Sequence, residues 1–328
     1  MRMTRPLLRL DIDQGRRTRL AGTAAATVAL ALLVTATPAL GQSPVASDAP
    51  GTTGTAPAHP DIVVTTAVLG AVVTELVGDR GTVQVLMPPN VDPHEWSPSA
   101  QDIETLHGAD LVVASGLGIE AALADPLAEV AGEGIPVFTA TDHITPRTIA
   151  ADDPAAGEAV GGQDPHFWTD PVAMKAVVDA LAPAIGDLGV DLADRQADLD
   201  GRLDALDAEV RAQIEAIPAD HRKLVTGHES LGYFADRYGL QLIGAVVPGL
   251  SSQGEVSARE LADIAGRIRD AGVTVIFTEL GTPQSVVDAI AGETGVRVVQ
   301  LASHTLPADG SYFSYIRDLA STIAGALG

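Results

Sequence analysis

Two patterns of apolar residues alternate along the chain after residue 60. Short apolar runs rich in β-branched residues alternate with stretches in which apolar residues recur every three or four positions. The short runs predict β-strands, and the longer stretches predict amphipathic helices. The predicted strands cover residues 62–66, 83–87, 111–114, 137–139, 223–226, 241–246, 273–278 and 296–300. Alternation of strands and helices is typical of an α/β protein with parallel sheets, and two groups of four strands predict two lobes.

A long helical pattern separates the two groups of strands. Between residues 191 and 216, apolar residues are spaced by steps of three and four, at Leu199, Leu203, Leu206, Val210 and Ile214. These steps place them on one face of a helix. A helix of about 25 residues would be close to 40 Å long, which is enough to connect two lobes. A solvent-facing helix that ends at Pro218 is the alternative. We therefore expect a first lobe over 61–190, a linking helix over 191–217 and a second lobe over 218–328.

The first 60 residues have a different composition. Six arginines precede and border an apolar run at 20–40, which ends in small residues. This pattern predicts a signal peptide over residues 1–41, cleaved before Gln42. A membrane anchor is the alternative, since about 20 apolar residues can span a bilayer. Residues 42–60 are rich in Pro, Ala, Thr, Gly and Ser without apolar periodicity, which predicts a disordered linker.

Charge and cysteine content exclude several classes of function. The full chain has a formal net charge of −23, so nucleic acid is not an expected partner. It has no cysteine, which excludes disulfides, thiolate metal sites, a cysteine nucleophile and a lipid-anchoring cysteine. With the predicted signal peptide, we expect a periplasmic or extracellular protein, or one tethered by an uncleaved signal segment.

Three histidines lie in loops of similar character. His94 follows Asp92-Pro93, His166 lies in the stretch Asp-Pro-His-Phe-Trp-Thr-Asp-Pro at 164–171, and His228 follows Gly227. Each lies where a strand or loop is predicted to pass into a helix, and α/β proteins bind ligands beyond the carboxyl ends of their strands. Three converging imidazoles suit Zn²⁺ better than an ion that prefers oxygen. Any one of them alone could equally be a structural histidine.

These motifs carry a resemblance to a known family. The histidine motifs, the block from Gly227 to Gly239 and the segment Val-Pro-Gly-Leu-Ser-Ser-Gln-Gly-Glu-Val-Ser at 247–257 resemble the metal-binding solute-binding proteins of zinc and manganese ABC transporters. The resemblance covers residues 61–328. It implies two α/β lobes joined by one rigid helix, with small opening movements. It also implies a receptor that passes metal to a membrane permease served by a separate ATPase; a monomer is the default expectation.

Three histidines leave a fourth ligand to be identified. A closed zinc site takes four ligands, and the resemblance implies a carboxylate just before the pair Ser311-Tyr312. Asp309 is our choice, although it lies one position earlier than in the family pattern; Glu279 and water are the alternatives, and Glu279 is otherwise expected to support a ligand. A histidine at 228, where a glutamate would favour manganese, favours zinc as the cargo. The remaining histidines fit no ligand pattern and are expected to be surface or structural groups: His59, His107, His143, His221 and His304.

Other functions lack the residues they need. His228-Glu229 does not begin an HExxH pair, because position 232 is glycine, and the chain has no phosphate-binding glycine loop and no GxSxG elbow. We therefore do not expect an enzyme. The alternatives on the same fold are a manganese receptor, a receptor for a metal chelate or siderophore, and a metal-dependent adhesin.

Overall fold

A computed structural model describes residues 59–151, 153 and 160–328. The predicted signal peptide and all but the last two residues of the predicted linker lie outside the described residues. Among the described residues, no helix is both long enough and apolar enough to cross a membrane.

A parallel sheet forms the centre of the first half of the chain. Its strands lie in the order β2-β1-β3-β4, and every neighbouring pair is parallel. The strands are β1 (Asp61–Val64), β2 (Thr82–Val85), β3 (Leu111–Ala114) and β4 (Val137–Thr139). All four residues of β3 are buried, as expected for a strand covered on both faces. The prediction of four parallel strands is therefore confirmed, with shifts of one or two residues at some ends.

The second half of the chain also has four strands, but they form two ladders. One joins β5 (Lys223–Thr226) to β6 (Gln241–Ala245), and the other joins β7 (Val275–Thr278) to β8 (Arg297–Gln300). Both pairs are parallel, and β5 lies beside β7. The predicted strands are thus present, although no backbone ladder joins the two pairs in the described part of the chain.

Helices cover these sheets and connect successive strands. In chain order they are α1 (Ala67–Val77), α2 (Ala100–His107), α3 (Ala124–Gly132), α4 (Pro171–Gly186), α5 (Ala193–Glu215), α6 (Gly232–Tyr238), α7 (Ala258–Ala271), α8 (Gln284–Thr294) and α9 (Tyr312–Leu327). The start of α4 follows from its sequence. Asp170 accepts a hydrogen bond from the backbone N–H of Val172 at 2.8 Å, and Pro171 occupies the first helical position, where no N–H is needed.

The helix α5 is the predicted linking helix. Its 23 residues give a length of about 35 Å, and the five residues of the predicted apolar stripe are its buried residues. It packs against α1 from the first half of the chain and against α9 from the second. Arg195 donates to the carbonyl oxygens of Glu75 and Leu76 at the end of α1, at 2.7 and 2.9 Å. The alternative of a solvent-facing helix is therefore wrong.

Candidate metal centre

Four histidine side chains converge at one point in the structure. They are His94, His166, His228 and His304, and each offers a ring nitrogen within 4.8 Å of those of the others. The Nε2 atom of His166 lies 3.3 Å from Nε2 of His94 and 3.2 Å from Nε2 of His228. The last three histidines are buried, and His94 is half-buried. Among the described residues, this is the only buried group of possible metal ligands; the other such group, His107 with Glu129 and Glu133, is exposed.

The four imidazoles come from loops that follow strands or precede helices. His94 lies between β2 and α2, and His166 lies just before α4. His228 lies between β5 and α6, whereas His304 lies between β8 and α9. Two histidines thus come from the first half of the chain and two from the second. This is the placement expected of a ligand site in an α/β protein.

Buried polar groups hold three of the imidazoles in place. Asp164 accepts a hydrogen bond from the backbone N–H of His166 at 2.9 Å, and the same oxygen lies 2.8 Å from Nδ1 of that ring. Nδ1 of His304 lies 2.8 Å from the hydroxyl oxygen of Ser303. Nδ1 of His228 lies 2.9 Å from Glu279 Oε2, a contact without hydrogen-bond geometry. Partners of this kind fix the ring orientation and leave the opposite nitrogen for a metal.

Aromatic side chains form a wall behind His166 and His304. The ring centroid of Trp168 lies 5.3 Å from that of His166 and 5.7 Å from that of His304. The carbonyl oxygen of Ser303 accepts hydrogen bonds from Trp168 Nε1 at 3.0 Å and from the Tyr315 hydroxyl at 2.6 Å. The backbone next to His304 is therefore fixed from two sides.

The electrostatics of the cluster favour neutral imidazole, which is the form that binds metal. Burial is the main cause that lowers the pKa of His94, to about 4, and the neighbouring His228 lowers it further. Burial also lowers the pKa values of His166 and His304 well below their ordinary range. A proton on one ring opposes a proton on the next, because the rings lie so close together.

Two buried ring nitrogens of the cluster make no hydrogen bond, and only Nδ1 of His228 has a carboxylate beside it. Nε2 of His304 is buried and makes no hydrogen bond. A buried polar atom without a partner costs roughly 1–3 kcal/mol, so such an atom needs a functional explanation. A cation bound between the four rings would be its partner. The donor set of four imidazoles therefore fits a metal ion of the zinc class.

The structure brings together three of the four residues predicted as ligands. Asp309, expected as the fourth, does not join the cluster. Its carboxylate is exposed and accepts hydrogen bonds from the Ser311 N–H at 3.0 Å and the Ser314 hydroxyl at 2.6 Å, which lower its pKa. It supports the start of α9. Glu279, expected in a supporting role, contacts His228 and accepts a hydrogen bond from the Ser230 hydroxyl at 2.6 Å.

His304 is the residue that the sequence prediction missed. It was expected to be a surface or structural group, but it is buried within the cluster. A signal was present, since His304 lies in the connection between the strand β8 and the helix α9, as His228 lies between β5 and α6. The other four histidines lie outside the cluster: His59 is exposed, His107 pairs with Glu133, His143 stacks on Phe138, and His221 contacts the Leu327 carbonyl.

The fold and the site together define a class of protein. Two α/β halves, linked by a long helix, meet at a buried cluster of imidazoles; this is the architecture of a two-lobed metal-binding receptor. Residues 62–326 match the family described as zinc-uptake complex component A, periplasmic. The chain belongs to this family.

Individual relatives and structures agree with the assignment. The chain is 28% identical over 305 residues to the zinc-binding protein TroA of Treponema pallidum, covering 92% of each chain. It is 27% identical over 280 residues to the manganese-binding lipoprotein MntA of Bacillus subtilis, covering 81% of this chain and 89% of that protein. The solved structure of the T. pallidum periplasmic zinc-binding protein TroA superposes with a TM-score of 0.71 at 27% identity, covering 82% of this chain and 99% of the other. A crystal structure of ZnuA gives a TM-score of 0.70 at 27% identity, covering 82% and 100%.

Proposed function

We propose that this chain captures free Zn²⁺ outside the cytoplasm and delivers it to the permease of an ABC transporter. The carrying observation is the convergence of four imidazoles, one of which has a buried Nε2 atom that makes no hydrogen bond. Relatives named as zinc-binding and zinc-uptake proteins support zinc as the cargo. We propose His94, His166, His228 and His304 as the ligands, with His304 in the place expected for Asp309.

The ligand set supports zinc over manganese. Nitrogen donors suit zinc, whereas manganese prefers carboxylate and carbonyl oxygens. Two carboxylates contact the rings: Asp164 lies at Nδ1 of His166, and Glu279 contacts Ser230 and Nδ1 of His228. Each supports a ligand from behind. Relatives named for manganese binding make that metal the second candidate cargo.

A holding site fits better than a catalytic one. Catalytic zinc keeps a coordination position open for water or substrate, whereas four protein ligands close the site. A closed site of four imidazole ligands would hold the ion until the lobes move. We therefore propose a receptor without enzymatic activity, which acts as a monomer with a membrane permease and a separate ATPase.

The predicted signal peptide and the family description support a location outside the cytoplasm. We propose that residues 1–41 direct export. Cleavage, followed by periplasmic release or secretion, and tethering by an uncleaved signal segment differ in the N-terminus of the recovered protein. Sequencing that N-terminus distinguishes them: a chain beginning at Gln42 supports cleavage, and one retaining residues 1–41 supports a tether.

A competition titration tests the proposed cargo. The protein is stripped of metal with a chelator and titrated with zinc and with manganese, beside His166→Ala. We expect one tight zinc equivalent, much weaker manganese binding, and loss of the tight equivalent in the variant. A His107→Ala control removes any binding at the exposed group of His107, Glu129 and Glu133. Absence of tight zinc binding by the native chain would refute the proposal and favour a receptor for a metal chelate.

A further inference from the structure

The segment 247–257 carries a distinctive sequence motif, but none of the four proposed zinc ligands lies in it. It leads from β6 to α7 and lies beside the loop that bears His94. At its start, the N–H of Val247 donates to the Gly227 carbonyl at 2.8 Å, and the Gly249 carbonyl accepts from the N–H of Glu229 at 2.9 Å. Gly227 and Glu229 flank His228. The segment is therefore fixed at one end to the loop of a proposed ligand.

The same segment also contacts the loop of a second proposed ligand. The hydroxyl of Ser252 donates to Asp92 Oδ2 at 2.6 Å, and both residues are buried. The neighbouring Gln253 donates through Nε2 to Glu95 Oε1 at 2.5 Å. These two hydrogen bonds lie on either side of His94 in the sequence. They join the second half of the chain to a loop of the first half.

Asp92 connects Ser252 to His94. Its Oδ1 atom accepts the backbone N–H of His94 at 2.9 Å, while Oδ2 accepts the Ser252 hydroxyl. A bond from a hydroxyl to a buried carboxylate is charge-assisted and short, and it holds the carboxylate in one rotamer. His94 is the least buried of the four imidazoles, so packing alone restrains it least.

The surroundings of Asp92 leave little space for another arrangement. Gly281 has a φ of +86°, and a Cβ atom there would lie only 2.2 Å from Asp92 Oδ2 and 3.0 Å from Ser252 Cβ. Gly281 follows Glu279, which contacts His228. The turn after β7 therefore packs against the same carboxylate, and glycine is required there by both conformation and space.

We propose that Ser252 is a positioning residue of the metal site, which fixes His94 through Asp92 and so closes the first half of the chain onto the ion. The role rests on the proposed zinc function, because it assigns a purpose to the placement of His94. Ser252 contributes no ligand atom. Its hydroxyl completes a path from the His228 loop, along the segment 247–252, to the His94 loop.

The test compares Ser252→Ala with Ser257→Ala in the processed protein obtained by expressing the full chain. Ser257 lies in the same segment, but its hydroxyl caps α7 and contacts Glu260. Both variants lose one hydroxyl, but only the first lacks the contact with Asp92. The measurements are the rate of zinc release to excess chelator, the visible spectrum of the Co²⁺-loaded protein, and hydrogen exchange of residues 88–99 without metal.

We expect Ser252→Ala to release zinc about tenfold faster, at the lower end of the effect of residues that support metal ligands. Its Co²⁺ spectrum should change because His94 is displaced, and residues 92–96 should exchange faster even without metal. Ser257→Ala should melt at a lower temperature and release zinc at the native rate. Ser252→Thr, which keeps the hydroxyl, should restore slow release.

Two outcomes separate this inference from the proposed function. If native protein binds zinc tightly but Ser252→Ala matches it in release rate, spectrum and exchange, Ser252 has no positioning role. If the native protein does not bind zinc, the proposed function fails, and the positioning role for zinc fails with it. Hydrogen exchange in native protein and Ser252→Ala then tests only whether Ser252 orders the loop that bears His94. Should Ser252→Ala fail to fold, Ser252→Cys keeps nearly the same volume with a weak donor, and release at the native rate would overturn the inference.

Discussion

Replacing His304 by alanine is the sharpest test of the proposed ligand set. The change removes a buried imidazole whose Nε2 atom has no other partner and leaves His94, His166 and His228 in place. Water could enter the vacated space as a fourth ligand, so the site should weaken without disappearing.

The expected loss follows from what the side chain contributes. Residues that only orient a ligand change metal affinity by about 10- to 100-fold when mutated, and a direct ligand should exceed that range. We therefore expect at least about a hundredfold weaker zinc binding, equivalent to about 2.7 kcal/mol. Asp309→Ala should change zinc affinity by less than about threefold, because a surface carboxylate bonded to Ser311 and Ser314 bears only on the start of α9.

The assay is competition with a chelator of known zinc affinity at fixed pH and ionic strength. His221→Ala serves as a matched control, since it removes a histidine outside the cluster whose ring nitrogen Nδ1 lies 3.0 Å from the Leu327 carbonyl oxygen. The melting temperature of each metal-free variant shows whether the fold is intact. Native affinity in His304→Ala combined with a large loss in Asp309→Ala would refute the four-imidazole site and restore the carboxylate as the ligand.

Three further predictions concern stability. The pKa of His94 is about 4 in the folded chain and near 6.5 in the unfolded chain, so the unfolded chain binds the proton more readily. The free energy of unfolding should therefore fall as the pH falls below 6.5, and urea titrations should show the metal-free native protein losing about 2 kcal/mol more between pH 7 and pH 5 than His94→Ala does. Equal losses would contradict the pKa shift. Leu206→Ala, on the buried face of α5, should lower the free energy of unfolding by about 2–5 kcal/mol in denaturant titrations. Glu209→Ala, which removes an exposed ion pair with Arg317, should lower it by less than about 1 kcal/mol. Similar losses in the two variants would show that the apolar face of α5 is not part of the core. Glu120→Ala should lower the free energy of unfolding by about 1–3 kcal/mol, measured by calorimetry, since the buried carboxylate of Glu120 accepts the N–H of Ser115. Glu120→Gln should lower it by less, because an acceptor oxygen remains. Equal losses in the two variants would argue that this hydrogen bonding contributes little.

Much of the fold could be predicted because the spacing of apolar residues within a single segment shows whether that segment is a helix or a strand. The stripe from Leu199 to Ile214 shows its own helical face, and the buried run of β3 shows a strand covered on both sides. Whether β5 and β7 form a continuous ladder depends on how two strands some fifty residues apart lie beside each other. No pattern within either strand reports that arrangement.

The candidate metal centre was predictable to the extent that its proposed ligands lie in distinctive local sequences. His166 follows a rigid proline and precedes a capped helix, so its neighbours mark it as a positioned side chain. His304 lies in a short stretch of ordinary residues, Ala-Ser-His-Thr, that carries no comparable mark. Its placement depends on the Ser303 carbonyl, which is held by Trp168 from a distant part of the chain and by Tyr315 from the helix that follows.

Asp309 illustrates that a carboxylate close to the position expected for a ligand is weak evidence that it binds the metal. A carboxylate before a helix is as useful for satisfying free N–H and O–H groups as for binding a metal. The one-residue displacement from the family pattern places Asp309 where Ser311 and Ser314 are its partners. A buried site also favours a neutral donor, because removing another carboxylate from water costs more than removing an imidazole whose neutral form is already dominant. In this cluster the two carboxylates close to the rings, Asp164 and Glu279, lie behind His166 and His228, where each contacts its ring from the side opposite the converging nitrogens. Negative charge would thus lie near a bound cation while the nitrogens alone face it, and a histidine as the proposed fourth ligand would preserve that arrangement.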